Sequence, residues 1–212
     1  MPKISQARME ERVGLVEGAA LSLFRRKGFH GVGLREIAEA AGVSIGNIYN
    51  HFDGKEAIFE RLLARLYGDF ANRNEPLAAY LAQSRFPDDL EDMGKAIGHM
   101  VDAHRDYLTL IYVDVAEFEG RHVRGHYEGL SQRFSVVLAG RFEELRRRPG
   151  WPRDLDPAVA FTAAYMQFFN YFIVERLIGA KSHLGLPERK AVEAISLLFR
   201  GGIGGHGQAP AH

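Results

Sequence analysis

Three groups of residues in this 212-residue chain have the types and spacing to do chemistry. Asp102, His104 and Asp106 set an imidazole between carboxylates, the makings of a general base. No nucleophile adjoins them in sequence, and the chain has neither a nucleophile elbow nor a phosphate loop, so catalysis is not expected. His122 and His126 lie four apart, the spacing of a ligand pair on a helix. With no cysteine in the chain and no third ligand fixed by spacing, neither a metal nor another cofactor is expected. The third group lies in "GVGLREIAEAAGVSIGNIYNHFDGKEAIF", Gly31 to Phe59. Here Arg35, Ser44, Asn47, Tyr49, Asn50, His51 and Lys55 collect amide, hydroxyl, imidazole and cationic groups on a short stretch. Such groups recognise a polar surface rather than transform it.

The elements that must position these groups read as helices throughout, and no convincing strand alternation appears. Val13, Val16, Ala20, Leu23 and Phe24 share one face of a first helix, which Gly28 is placed to end in the left-handed conformation. Leu34, Ile37, Ala38 and Ala41 stripe a second, stopped by Gly42. Ser44 can cap a third that carries Ile48 and Phe52 inward. Asp53 and Glu56 have capping-box spacing for a fourth, which carries Ile58, Leu62, Leu63 and Leu66 and runs on towards Asn74. Helical pattern resumes after Phe86-Pro87 and continues through "YLTLIYVDVAEF" and "HYEGLSQRFSVVLAGRFEELRRR". "RPGWPRDLDP" breaks it, with Asp156 as N-cap and Pro157 at the first helical position. Ala158 to Gly179 is then a long helix apolar on nearly every side, and Pro187 to Gly201 holds a last one. The expected class is all-α. The glycine-rich "GGIGGHGQAPAH" reads as a flexible tail over 202–212.

Composition excludes several classes. The chain is 46% hydrophobic and 25% charged, ordinary for a globular protein. It has no apolar run of about 18 residues and no signal-peptide core at its start, so a cytoplasmic location is expected, with no membrane association. Net charge is zero. Binding to a polyanion must therefore rest on the placement of charge rather than on its bulk.

Placement is what the Gly31–Phe59 stretch supplies. Two short helices joined by Ala41-Gly42-Val43-Ser44 match a helix-turn-helix: glycine for the sharp turn, valine to pin the corner, a hydroxyl to cap the next helix. Burying Leu34, Ile37, Ile48 and Phe52 leaves the outer face of residues 44–51 free. The major groove of B-DNA, about 12 Å wide, admits one α-helix with polar residues at its N-terminal end.

The residues Ile37, Ala38, Ala41, Gly42, Val43, Ser44, Gly46, Ile48, Tyr49, His51, Phe52, Lys55 and Glu56, in this spacing, resemble the N-terminal domain of TetR-family transcriptional regulators. Upstream, Ala20, Leu23, Phe24 and Gly28-Phe29 fit the same pattern, so the resemblance covers about the first 60 residues. It implies a DNA-binding domain over 1–54 and a helical effector-binding and dimerisation domain over 55–201, with 55–74 as the connecting helix. It also implies that Asn47 and Asn50 reach base edges, that Gly46 allows close approach, and that Tyr49, His51 and Lys55 hold phosphates. Arg35 would touch either, and Ser44 would stand at the same surface.

The sequence departs from the family in two places. Ile45 stands where a polar residue is common and offers either packing on Ile48 or an apolar contact to a thymine methyl. Val32-Gly33 replaces a Thr/Ser pair and leaves Glu36 without a hydroxyl partner for a capping box.

The resemblance further implies a homodimer built on the last two long helices. Phe161, Ala164, Phe168, Phe172, Leu198 and Phe199 are the candidates for that interface, although a buried monomer core would give the same apolar pattern. It implies as well an effector pocket, for which Met100, His104, Tyr107, Ile111, Phe118, Tyr165, Phe169 and Tyr171 are candidate lining. Their character suits an apolar or aromatic ligand, such as an acyl chain. The expectation is thus a ligand-responsive regulator, by family habit a repressor, on a palindromic double-stranded operator. The competing reading is a helical ligand-binding module that has lost DNA binding, to which Ile45 and Gly33 are the only pointers.

Overall fold

The computed structural model describes residues 6–70 and 75–204, and every regular element it assigns there is helical. The chain divides into two compact units, residues 1–69 with 106–125 and residues 70–105 with 126–212. Among the described residues no helix is long and apolar enough to cross a membrane.

The first unit holds α1 (Gln6–Lys27), α2 (Leu34–Ala41), α3 (Ile45–Tyr49), α4 (Lys55–Phe70) and nearly all of α7 (Arg105–Phe118). Its boundaries follow local chemistry. Gly28 and Gly42 both take left-handed φ, +72° and +66°, and end α1 and α2. Gly33 stands at the α2 N-cap without a side-chain bond, and Glu36, having no hydroxyl partner, pairs with Lys27 instead. Glu56 does not close a capping box either; its carboxylate meets Arg121 and His122. The stripes expected inward are inward: Val16, Ala20, Phe24, Ile37, Ile48, Ile58, Leu62 and Leu66 are sealed from solvent. A ring cluster of Phe24, Phe29, Phe59 and Phe118 ties α1, α4 and α7 together, with centroids 4.5–5.6 Å apart. The buried Glu17 carboxylate is answered by Arg61 and Arg65 from α4.

The second unit is built around α11 (Pro157–Ile173), which packs on α6 (Leu90–Ala103), α9 (Leu130–Val137), α10 (Ala139–Arg147) and α12 (Glu188–Gly204). Asp156 accepts from the Ala158 and Val159 amides and Pro157 opens the helix, as the break in "RPGWPRDLDP" predicts. At its other end α11 widens into a π turn, Val174–Ile178, capped by Gly179 at φ +79°. α6 approaches α11 closely through glycine: a Cβ on Gly98 would lie 2.8 Å from the Phe172 ring, and one on Gly94 3.0 Å from Phe168.

Three segments differ from the sequence reading. A short α5 (Pro76–Gln83) opens on Pro76, within a stretch where no helix is expected. The run from Arg124 is divided into α8 (Arg124–Glu128), α9 and α10 by residues in bridge-region backbone at Gly129 and Leu138. α12 continues to Gly204, three residues past its expected end. The continuation of α4 to Asn74 and most of the glycine-rich tail lie outside the described residues.

Candidate nucleic-acid interface

α3 is five residues long and is positioned by its own sequence. Ser44 sits in extended backbone, and its Oγ accepts the Asn47 amide at 3.2 Å, so the helix starts where the hydroxyl dictates. Ile48 is fully buried and Phe52 nearly so, which fixes the rotation of the helix. With that face inward, Ser44, Ile45, Gly46, Tyr49 and Asn50 stand exposed and Asn47 and His51 half-buried. Tyr49 is 57% exposed, so its ring is not part of the core. Ile45 is 38% exposed and presents its side chain outward. A Cβ at Gly46 would meet only Ser44 Oγ, at 3.9 Å, so no packing inside the protein requires glycine there. The Asn47 Oδ1 is enclosed yet has no donor among the described residues. Arg35 is exposed at the start of α2.

Lys55 is placed differently from the rest. Its Nζ donates to the carbonyls of Phe29 and Val32, both at 2.7 Å, and lies 4.1 Å from the centroid of the Phe29 ring. Burial lowers its pKa from the ordinary lysine value, partly offset by the negative charge of Glu117. Two of its three donors therefore hold the α1–α2 loop, and one is left for any outside anion. Glu117 completes this clamp from α7, its carboxylate accepting the amides of Phe29 at 2.9 Å and His30 at 2.6 Å. Sequence reading passed over Glu117, because an acid near the end of an amphipathic helix carries no local sign of a contact 88 residues away.

The candidate effector residues fall in both units. Met100, His104, Tyr165, Phe169 and Tyr171 belong to the second and are buried there; Tyr165 and Phe169 stack at 5.9 Å, and His104 meets Glu75. Tyr107, Ile111 and Phe118 belong to the first, with Phe118 inside the ring cluster. The interface candidates need amending. Phe161, Ala164, Phe168 and Phe172 are sealed inside their own protomer, whereas Leu198 is 75% exposed and Phe199 half-buried. Among the described residues, the apolar side chains of these helices left outside are Val159, Ala163, Leu197 and Leu198.

Of the residues that could make a general base, Asp102 pairs with Arg176, Asp106 with Arg25 and His104 with Glu75. His126 lies on α8, its pKa pushed down to about 4 by burial and by the charge of Arg133.

Residues 18–62 match the family model described as "Bacterial regulatory proteins, tetR family". The chain is 31% identical over 156 residues to the uncharacterized HTH-type transcriptional regulator YfiR of Bacillus subtilis, covering 71% of this chain and 75% of that one. It is 25% identical over 142 residues to the HTH-type transcriptional repressor KstR2 of Rhodococcus jostii, covering 67% and 69%. Its fold resembles that of Bacillus subtilis FadR, solved in complex with stearoyl-CoA, with a TM-score of 0.62 at 19% identity over 90% of this chain and 98% of that one. The short helix fixed by Ser44, Ile48 and Phe52, its outward polar face and the match over α1 to α4 agree: the chain belongs to the TetR family of bacterial transcriptional regulators.

Proposed function

We propose that the protein is a homodimeric repressor that reads a palindromic operator with α3 and leaves it on binding an apolar, acyl-type effector. The observation that carries the DNA half of this reading is the outer face of α3. Asn47, Asn50 and Ile45 stand there beside a glycine that internal packing does not need, on a helix anchored by Ile48. In the groove Asn47 and Asn50 take base edges, Ile45 a thymine methyl, and Tyr49, His51, Ser44 and Arg35 the backbone.

One head contacts too few base pairs for specific affinity, so two act together, their α3 helices about 34–36 Å apart on one face of the duplex. Repression has the support of KstR2, a repressor by name, and an acyl-type effector that of the stearoyl-CoA bound by FadR. The buried Met100, Tyr165 and Phe169 of the second unit suit such an apolar chain. An effector that fits only the arrangement unable to span both half-sites shifts the population off DNA, by a coupling of about 1–3 kcal/mol.

The test is selection of bound duplexes from a random pool, followed by binding of the selected site across a salt series. A palindromic consensus and a log K falling by about 0.9 per phosphate contact are expected. Asn47→Ala should relax the base preference at one position of each half-site and leave the salt slope unchanged. Uniform binding of all duplexes would overturn the DNA reading and favour a ligand-binding module.

A further inference from the structure

The first unit brings a histidine against two glutamates that lie more than 60 residues before it in the sequence. Glu56 and Glu60, one helical turn apart on α4, face His122 from the segment after α7. Their ligand atoms all lie within 4.8 Å of one another. His122 Nε2 is 3.3 Å from a Glu56 oxygen and 3.5 Å from a Glu60 oxygen. Those separations have a meaning: in a tetrahedral zinc site with bonds of about 2.0–2.1 Å, neighbouring donor atoms stand about 3.3–3.5 Å apart.

The imidazole is prepared for the part. Its side chain is only 10% exposed, walled by Phe59 and Phe118 at 5.7 and 4.6 Å. Its Nδ1 is bonded to Asp114, which is fully buried and also accepts the backbone amides of His122 and Val123 at 3.2 Å each. That bond holds the Nδ1 edge of the ring against Asp114. Nε2 is then turned towards two further carboxylates. A ring nitrogen set between two carboxylates is a group of donors for one cation, and a carboxylate behind the ring is the usual support of a histidine that ligates metal.

We propose that Glu56, Glu60 and His122 bind a divalent transition-metal ion of the zinc class and so brace the first turns of α4 against residues 114–123. One imidazole with two carboxylates leaves the fourth position to water and suits zinc, whereas magnesium favours all-oxygen sites. Arg121, also paired with Glu56, is the competing cation; it is 59% exposed and has solvent to swing into when the metal enters. The site stands whether or not α3 reads DNA, since its readout is metal binding alone.

Full-length protein stripped with chelator should take up one zinc ion per protomer by calorimetry. Cobalt in its place should give the strong visible absorption of a tetrahedral centre. Glu60→Gln should weaken both at least tenfold while leaving the unfolding midpoint of the metal-free protein unchanged, because Glu60 is an exposed α4 residue. His122→Gln should abolish both. No zinc uptake at micromolar concentration, or an affinity indifferent to Glu60→Gln and His122→Gln, would overturn the site and leave His122 as a structural partner of the three carboxylates around it.

Discussion

Lys55 is held by contacts that its place in the sequence does not announce. The sequence places a lysine at the start of α4 and by resemblance gives it a phosphate. In the folded chain its ammonium closes two carbonyls of the α1–α2 loop and stacks over Phe29. Sequence reading had no access to this, because the acceptors lie 26 and 23 residues upstream in a loop whose path is set by tertiary packing. The outward set on α3, by contrast, was readable: two large apolar residues, Ile48 and Phe52, are enough to fix the rotation of a helix one turn long. Lys55→Met should therefore cost the protein about 1.5–3 kcal/mol in the absence of DNA, the usual contribution of a hydrogen bond to a charged group. It should also weaken operator binding, through the displaced loop as much as through a lost phosphate contact. Thermal denaturation without DNA distinguishes the roles: an unchanged midpoint would show that the carbonyl contacts contribute nothing and that the phosphate role stands alone.

Among the elements, helix starts and stops proved most legible where a single residue type dictates backbone geometry. Gly28, Gly42 and Gly179 end their helices with positive φ, and Asp156-Pro157 begins α11. Less legible were the divisions at Gly129 and Leu138, because a leucine in bridge-region backbone has no sequence signature; the bend there follows from how α9 and α10 pack on α11. The glycines of α6 were also opaque, since in sequence they look like weak points in a helix. Their reason is the neighbour: Phe168 and Phe172 occupy the space where side chains would be. Gly98→Ala gains helix propensity of about 1 kcal/mol, yet must push the Phe172 ring aside, an overpacking cost of about 1–3 kcal/mol. A net loss of stability is expected, seen as a lower midpoint in chemical denaturation. Gly140→Ala, on α10 with nothing within 4 Å of the added methyl, should instead raise it. If Gly98→Ala were the stabilising one, the close approach of α6 and α11 would be misplaced.

At the scale of the whole molecule, the question is which apolar residues of α11 and α12 serve the protomer and which serve a second copy. Periodicity could not divide them, because α11 is apolar on nearly every side and a core face looks like an interface face. Burial divides them cleanly. Phe161, Ala164, Phe168 and Phe172 have no surface left to offer, while Val159, Ala163, Leu198 and the half-buried Leu155 and Phe199 line a shallow groove of about 320 Å³. Leu197 and Leu198, at 70% and 75% exposure on adjacent positions of α12, would be an aggregation liability on a protein that stayed alone. Our reading places the two-fold axis here. Leu198→Glu is then the discriminating change: so exposed a residue adds little to the protomer's own core, so helical content and unfolding of the isolated chain should be preserved. Pairing two such faces would bury the carboxylates near one another without a partner, at a cost of several kcal/mol. Sedimentation equilibrium should show a dimer converted to monomer at micromolar concentration. Operator affinity should fall with it towards that of a single head, which grips a half-site weakly and loses the dependence on half-site spacing. A Leu198→Glu protein that remained dimeric would move the pairing surface off α12, and one that became monomeric yet kept full operator affinity would remove the need for a pair at all.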